Sequence, residues 1–166
     1  MKQSHTLSCS TMQISTPNSV SRGAFIVLEG VDRCGKTTQC SLLLKHLTST
    51  LAMSTTAMCF PDRSTAIGIL IDGYLQSRKN LEDRAVHLLF SANRWEAVES
   101  LTHHIASGRT IVCDRYAHSG VAFSSAKDAN DPLTVEWCKS PDKGLPAPDA
   151  IIFLTLSQDE AEKRGG

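Results

Sequence analysis

The segment AFIVLEGVDRCGKTT, residues 24–38, sets how the rest of the sequence is interpreted. Its first part, AFIVLEG, is a short apolar run of the kind that forms a buried strand. Gly30, Gly35, Lys36 and Thr37 then match the spacing G-x-x-x-x-G-K-[ST], and a helical pattern follows. A strand, this spacing and a helix together predict a loop that binds the phosphates of a nucleotide.

Each residue type in this loop has a chemical reason. Glycines let the backbone curl so that several N–H groups point at phosphate oxygens, and the following helix adds its N-terminal dipole. Lys36 is expected to reach the β- and γ-phosphates, and the Thr37 hydroxyl to hold Mg²⁺. The alternative, a glycine-rich turn without a ligand, fits the flanking strand and helix poorly. The residues that the motif itself predicts to bind a nucleoside triphosphate are Gly30, Gly35, Lys36 and Thr37.

Strands and helices alternate along the rest of the sequence. Further strands are predicted at 55–61, at 109–116 and within 144–157. Helices are predicted over 38–51, 66–76, 81–108 and 134–140, with another beginning in 158–164. This alternation predicts an α/β fold with a doubly wound parallel sheet flanked by helices.

The first 22 residues differ from the rest in composition. They are rich in Ser and Thr and contain no Asp or Glu. This predicts a disordered tail over 1–22, with an organelle transit peptide as the alternative. One folded domain is therefore expected over 23–166.

Overall composition argues against two classes of partner. The 166 residues carry 17 basic and 17 acidic side chains, which disfavours a nucleic-acid-binding surface. No apolar run approaches the roughly 20 residues that a membrane span needs.

The six cysteines show neither CxxC spacing nor a zinc-type cluster. We therefore expect a reducing compartment, the cytoplasm, with nucleus and mitochondrion as alternatives, and we expect Cys59 and Cys113 to be buried.

Charged residues follow the predicted strands where a ligand would bind. In an open parallel sheet, ligands lie beyond the carboxyl ends of the strands. Arg63 follows the second predicted strand, and Asp114 and Arg115 end the third. Lys36, Arg63 and Arg115 would then place positive charge in one crevice, where a polyphosphate could bind; charged surface residues are the alternative for Arg63 and Arg115. Asp114 is expected to support Mg²⁺ together with Thr37, and a turn-capping Asp is the alternative.

Two residues of the predicted helix 81–108 are candidates for binding a base. Phe90 and Arg94 are four residues apart and so share one face of the helix. An aromatic ring can stack on a base, and a guanidinium can donate to a base carbonyl. A core Phe and a solvated Arg are the alternative that the spacing leaves open.

Several stretches resemble thymidylate kinases. They are FIVLEGVDRCGKTTQ, FPDRST, HLLFSANRWE, DRYAHSGVAFSSAK, WCKSPDKGLPAPD and AEKRG. FPDRST and LLFSANRWE are specific to this family among phosphate-loop kinases, and Arg33 inside the loop is typical of its eukaryotic and viral members. The resemblance covers residues 24–166 and implies a P-loop nucleoside monophosphate kinase fold. Because the family continues into a lid, a fifth strand and further helices, we expect the last strand and C-terminal helices to be missing and the fourth strand to be exposed.

The resemblance implies that ATP and Mg²⁺ bind at the phosphate loop, where the ATP-binding residues would be Gly30, Arg33, Cys34, Gly35, Lys36, Thr37 and Thr38. Arg33 would reach the γ-phosphate as an arginine finger supplied in cis. Arg164 would lie against adenine, and Thr37 and Asp114 would hold the metal. The residues with an implied catalytic role are Arg33, Lys36, Asp114 and Arg115.

The resemblance also implies that dTMP is the phosphoryl acceptor. Asp32 would contact its 3′-hydroxyl, and Tyr116 would crowd the 2′ position and disfavour ribonucleotides. Arg63 and Arg115 would hold its phosphate. The thymine would lie among Phe90, Arg94, Ser119, Gly120 and Phe123. Family members are homodimers through their long helices, which implies the same assembly here.

Three other functions are weighed against this one. A non-catalytic chain could bind nucleotide or pair with complete subunits. A kinase for another nucleoside monophosphate is a second alternative, although Phe90 with Arg94 favours thymine. A GTPase-type switch is disfavoured because the sequence lacks the guanine-reading NKxD motif.

Overall fold

A computed structural model describes residues 21–127, 131–157, 160 and 163. In these residues, four strands form one sheet in the order β2-β3-β1-β4. Phe25 pairs with Ile111, and Val27 with both Cys113 and Ile151, and all pairings are parallel. The strands are β1 (Phe25–Gly30), β2 (Thr55–Cys59), β3 (Thr110–Asp114) and β4 (Ala150–Leu154). The predicted α/β fold with a parallel sheet is confirmed.

Helices connect successive strands, as parallel pairing requires. One helix joins β1 to β2, three lie between β2 and β3, and two lie between β3 and β4. The helices are α1 (Lys36–Ser49), α2 (Ala66–Leu75), α3 (Asp83–Trp95), α4 (Val98–Ala106), α5 (Ala117–Ser125) and α6 (Val135–Lys139), and a 3₁₀ turn, Ser140–Asp142, follows α6. Within the described residues, none of these helices is long and apolar enough to cross a membrane.

One helical prediction was wrong, and one helix was missed. The segment predicted as one helix, 81–108, is interrupted after Trp95, where the Glu96 carboxylate accepts hydrogen bonds from Thr65 Oγ1 at 2.5 Å and Asn93 Nδ2 at 2.7 Å. Helix α5 was not predicted, because its sequence AHSGVAFSS lacks a helical apolar period. Its start is instead stabilised by a contact with β1, described below.

The core lies on both faces of the sheet. One apolar cluster contains Phe25 and Val27 of β1, and the other contains Leu28. Strands covered on both faces have continuous apolar runs, which explains why they were readily predicted. Cys113 in the central strand β3 is fully buried, as expected. The expectation for Cys59 was wrong, because it lies on the edge strand β2 and is exposed.

Strand β4 lies at the other edge of the described sheet. Ile151, Ile152 and Phe153 are 47%, 41% and 64% exposed. Among the described residues β4 pairs with β1 alone. The expected exposure of apolar side chains on the fourth strand is therefore confirmed.

Candidate functional site

The loop after β1 has the backbone geometry of an anion cradle. Gly30 (φ 145°), Arg33 (φ 61°) and Gly35 (φ 93°) all have positive φ values. A Cβ at Gly30 would lie 2.2 Å from the Leu154 carbonyl oxygen, so only glycine fits there. Helix α1 begins at Lys36 without a side-chain cap. The N–H groups of its first turn are thus available to phosphate oxygens.

The Lys36 side chain lies inside this loop. Its Nζ donates to the carbonyl oxygens of Gly30 at 3.0 Å and Val31 at 2.5 Å, and it lies 3.6 Å from Cys34 Sγ. Only 6% of the residue is exposed. The loop therefore holds the ammonium at the centre of the cradle, where it would meet phosphate charge.

Thr37 and Asp114 meet at the end of β3. Thr37 Oγ1 donates a 2.6 Å hydrogen bond to Asp114 Oδ2. A hydroxyl and a carboxylate are oxygen ligands of the type that Mg²⁺ takes, and Mg²⁺ commonly combines one or two protein ligands with water and phosphate. The pair fits such an ion at the mouth of the phosphate loop.

Arg115 joins this loop to helix α5. Its Nη2 forms an ion pair with Asp32 in the loop, and its Nη1 donates to Ser119 Oγ at 3.0 Å. Its Cζ lies 5.3 Å from the centre of the Phe123 ring, which is itself half exposed. Arg115 also has a left-handed backbone, with φ at 68°. Three predicted site residues, Asp32, Ser119 and Phe123, therefore contact the guanidinium of a fourth, Arg115.

Glu29, which the sequence interpretation missed, positions the start of α5. This β1 residue is 3% exposed, and its Oε1 accepts from the backbone N–H groups of Tyr116 at 2.9 Å and Ser119 at 3.2 Å. Its Oε2 accepts from the Ser119 hydroxyl at 2.5 Å. The carboxylate thus caps a helix from a neighbouring strand. An acidic residue inside an otherwise apolar strand was the signal that could have found it.

Arg94 is buried rather than solvated. It is 2% exposed, and its Nη2 lies 2.7 Å from Asp142 Oδ2. The alternative of a solvated Arg is therefore wrong. Phe90, one turn earlier on α3, is half-buried. A Cβ at Gly120 of α5 would lie 3.0 Å from Arg94 Nη2, so a larger residue there would press on the guanidinium.

Asn93, also missed, fixes the loop that carries Arg63. Its Oδ1 accepts from the Asp62 N–H at 2.7 Å, and its Nδ2 donates to the Asp62 carbonyl at 3.1 Å and to Thr65 Oγ1 at 3.0 Å. Arg63 itself projects outward, with its side chain 58% exposed and 3.3 Å from Asp72. The structure thus anchors the Arg63 backbone to α3 but does not bring its side chain to Arg115.

Comparison with known proteins places these motifs in a family. The family model for thymidylate kinase matches residues 28–166. The chain belongs to the thymidylate kinase family. It is similar to the thymidylate kinases of Danio rerio (53% identity over 144 residues), Homo sapiens (51% over 144) and Dictyostelium discoideum (48% over 146). These alignments cover 87–88% of the chain and 64–66% of the relatives, so the chain spans about two thirds of their length.

Solved thymidylate kinases share the fold. The Candida albicans enzyme superimposes with a TM-score of 0.77 at 43% identity, over 87% of this chain and 68% of that one. The Ehrlichia chaffeensis protein superimposes with a TM-score of 0.70 at 22% identity, over 86% and 82%. The predicted fold class is therefore also confirmed by structures.

The structure does not support one role that the thymidylate kinase resemblance implied. Tyr116 was expected at the 2′ position of the acceptor, but it is 3% exposed and its ring packs against Phe25 and Phe60, with ring centres 5.1 and 5.6 Å away. Burial raises the pKa of its phenol, whose oxygen has no hydrogen-bond partner among the described residues.

Two further residues predicted to bind ATP, Arg33 and Thr38, are exposed at the loop. Arg164 lies outside the described residues.

Proposed function

We propose that the chain transfers the γ-phosphoryl group of ATP to dTMP, giving ADP and dTDP. The observation that carries this proposal is the buried Arg94 on the acceptor side. A phosphate loop alone serves many substrates, but a guanidinium in a fixed orientation selects a base that offers a carbonyl oxygen. Membership of the thymidylate kinase family supports thymine as that base.

On the donor side, the chain's residues hold and neutralise the triphosphate. The loop N–H groups and Lys36 would bind the β- and γ-phosphates, and Arg33 would stabilise charge on the transferring group. Thr37 and Asp114 would hold Mg²⁺. When bound, this ion neutralises phosphate charge as a Lewis acid.

On the acceptor side, the residues of the chain would contribute to catalysis by holding dTMP in position. Arg115 would hold the dTMP phosphate, with Arg63 as a second cation brought in from its loop. Asp32 would accept a hydrogen bond from the 3′-hydroxyl. A phosphate monoester is already ionised at neutral pH, so no general base is needed. The rate enhancement would come from alignment of the two phosphates and from preorganised charge.

The test is ADP release by the purified 166-residue chain with dTMP, dUMP, dCMP, dGMP and AMP as acceptors. We expect turnover to be fastest with dTMP. Lys36→Met should lower kcat by roughly 100-fold or more, whereas Lys45→Met, on the exposed side of the same helix, should leave it within about 2-fold. Faster turnover of a purine acceptor, or no turnover with any acceptor, would refute the proposal.

We also propose that the chain forms homodimers through α2 and α3. Ile69, Leu70 and Leu75 of α2 are 62%, 41% and 44% exposed, and Leu88 of α3 is 48% exposed. Apolar side chains clustered on two neighbouring helices are typical of protein interfaces. Light scattering after size exclusion should give twice the chain mass, and Ile69→Glu should shift it to the monomer. Leu51→Glu, an equally exposed apolar position after α1, should not.

For the compartment, we propose the cytoplasm, on the basis of a cysteine pattern without paired spacing. Fractionation of cells that express the tagged chain tests this, and recovery in the nucleus or in mitochondria would contradict it.

A further inference from the structure

Helix α3 holds the end of α6 and the 3₁₀ turn after it through one row of side chains. His87 Nε2 donates to the Cys138 carbonyl at 2.8 Å, and Trp95 Nε1 donates to the Pro141 carbonyl at 2.7 Å. Between them, Ser91 donates from its hydroxyl to Asp142 Oδ1 at 2.7 Å. Residues 138–142 are therefore fixed to α3 over two helical turns, with Asp142 at the end nearest Arg94.

Asp142 occupies one edge of the Arg94 guanidinium. Oδ1 accepts from Nε at 3.1 Å and from Nη2 at 2.9 Å, and Oδ2 accepts from Nη2 at 2.7 Å. The Asp142 side chain is 7% exposed, so this ion pair is buried. Nη1, on the other side of the guanidinium, makes no hydrogen bond within the described part of the chain.

Gly120 closes one face of the same guanidinium. A Cβ at this position would lie 3.0 Å from Nη2, 3.1 Å from Nη1 and 3.4 Å from Cζ of Arg94. The guanidinium is thus fixed along one edge by Asp142 and confined on one face by α5. A cation held in this way offers the N–H groups of Nη1 in a fixed direction.

We infer that Asp142 is a positioning residue for base selection. By binding Nε and Nη2, it leaves Nη1 as the donor that the acceptor base meets. At position 4 of the pyrimidine ring, the carbonyl oxygen of thymine can accept from Nη1, whereas the amino group of cytosine presents a donor to it. Asp142 acts through Arg94 and does not touch the substrate itself. This inference rests on the proposed function, because it assigns the orientation of Arg94 in that site.

A carboxylate suits this position better than its amide isostere. The Arg94 edge and the Ser91 hydroxyl present only donors to Asp142, and a carboxylate accepts from all of them. An asparagine keeps one acceptor oxygen and brings N–H donors against the guanidinium. It also leaves a buried charge without its counter-ion. Asp142→Asn should therefore let Arg94 change orientation with little change in side-chain volume.

The experiment measures binding of dTMP and dCMP to the full 166-residue chain by titration calorimetry, with kcat measured at saturating dTMP. Asp142→Asn should raise the Kd for dTMP by roughly 10- to 100-fold, the scale of a lost hydrogen bond to a charged group. The Kd for dCMP should change much less, so discrimination between the bases falls. The value of kcat should stay within about 3-fold, because the phosphate-binding residues are untouched.

Two further variants separate positioning from a general structural effect. Ser91→Ala removes one hydrogen bond to Oδ1 and should lower the discrimination by a smaller factor, which keeps the inference testable if Asp142→Asn does not fold. Ser140→Ala lies in the same 3₁₀ turn, where its exposed hydroxyl donates to the Glu136 carbonyl, and it should leave both Kd values unchanged. An Arg94→Met background should abolish the effect of Asp142→Asn, because Asp142 acts through Arg94.

Each outcome has a distinct meaning. Loss of discrimination that disappears in the Arg94→Met background supports the inference. If the wild-type chain binds dTMP and both Asp142→Asn and Ser91→Ala keep its discrimination, the inference fails while the proposed function stands. An effect of Asp142→Asn that persists in the Arg94→Met background, or that Ser140→Ala reproduces, also overturns it. If the wild-type chain binds no dTMP, the proposed function fails and the inference fails with it.

Discussion

His87 makes the stability of the fold depend on pH. Its ring is fully buried between α3, α5 and α6. Nε2 lies 2.8 Å from the Cys138 carbonyl, which can only accept, so Nε2 carries the proton. Nδ1 then accepts from the Ser124 hydroxyl at 2.7 Å. Both ring nitrogens are satisfied by the neutral imidazole. Burial lowers the pKa of His87 below its ordinary value, and the charge of Arg94 lowers it further, while the hydrogen bond to the Cys138 carbonyl and the charge of Asp142 oppose the shift.

The direction and size of the effect follow from proton uptake. In the unfolded chain, a histidine titrates near pH 6.5. Between pH 7.5 and 5.5 the unfolded state takes up almost one proton at this site, and the folded state takes up less. The free energy of unfolding should therefore fall as the pH falls through this interval. The loss reaches about 1.4 kcal/mol if the buried ring takes up no proton.

The assay is urea unfolding followed by circular dichroism at pH 7.5 and at pH 5.5. The matched control is His87→Gln, since glutamine can also donate to the Cys138 carbonyl and accept from Ser124 but does not titrate. The other histidines contribute equally to both proteins and cancel in the difference. We expect wild type to lose up to about 1.4 kcal/mol more than the variant. Equal losses in the two proteins would refute the assignment of a buried neutral His87.

Other substitutions test the site. Arg33→Ala should lower kcat for ADP release by roughly 100- to 1000-fold, and an unchanged kcat would exclude an arginine finger. Glu29→Gln should lower the thermal midpoint by the equivalent of about 1–2 kcal/mol and kcat/KM for dTMP by roughly 10-fold, because the cap of α5 weakens. Gly120→Ala should raise KM for dTMP by roughly 10-fold through its contact with Arg94. Gly73→Ala, whose added Cβ meets only the Lys79 side chain at 3.7 Å, should leave KM unchanged and stabilise α2 by up to about 1 kcal/mol.

The proposed ATP-binding half of the site was predictable because the residues that form it lie next to one another in the sequence. The residues from Gly30 to Thr37 form a strand end, a loop and a helix start in direct succession. Their spacing fixes the backbone of the loop almost without help from the rest of the chain. Asp114 was predicted because it ends an apolar strand, and parallel pairing then brings it to Thr37.

The proposed dTMP-binding half was predicted less completely because the contacts that form it join residues far apart in the sequence. Glu29 acts on α5 across 87 to 90 residues of sequence, and Asn93 acts on Asp62 across 31. No local pattern reports such partners. Tyr116 shows the same limit, since its position in the sequence matched the family while its ring lies in the core against Phe25.

Helix α3 explains why the proposed dTMP-binding half was the harder one to predict. An amphipathic interpretation assigns polar residues to the solvent face, yet the buried residues of this helix include His87, Ser91, Asn93 and Arg94. Each of them is buried because another segment supplies its hydrogen-bond partner, which offsets the cost of desolvation. One helix therefore fixes both the loop that carries Arg63 and the orientation of Arg94. A change on the buried face of α3 should then alter acceptor binding even where no substituted residue touches the acceptor.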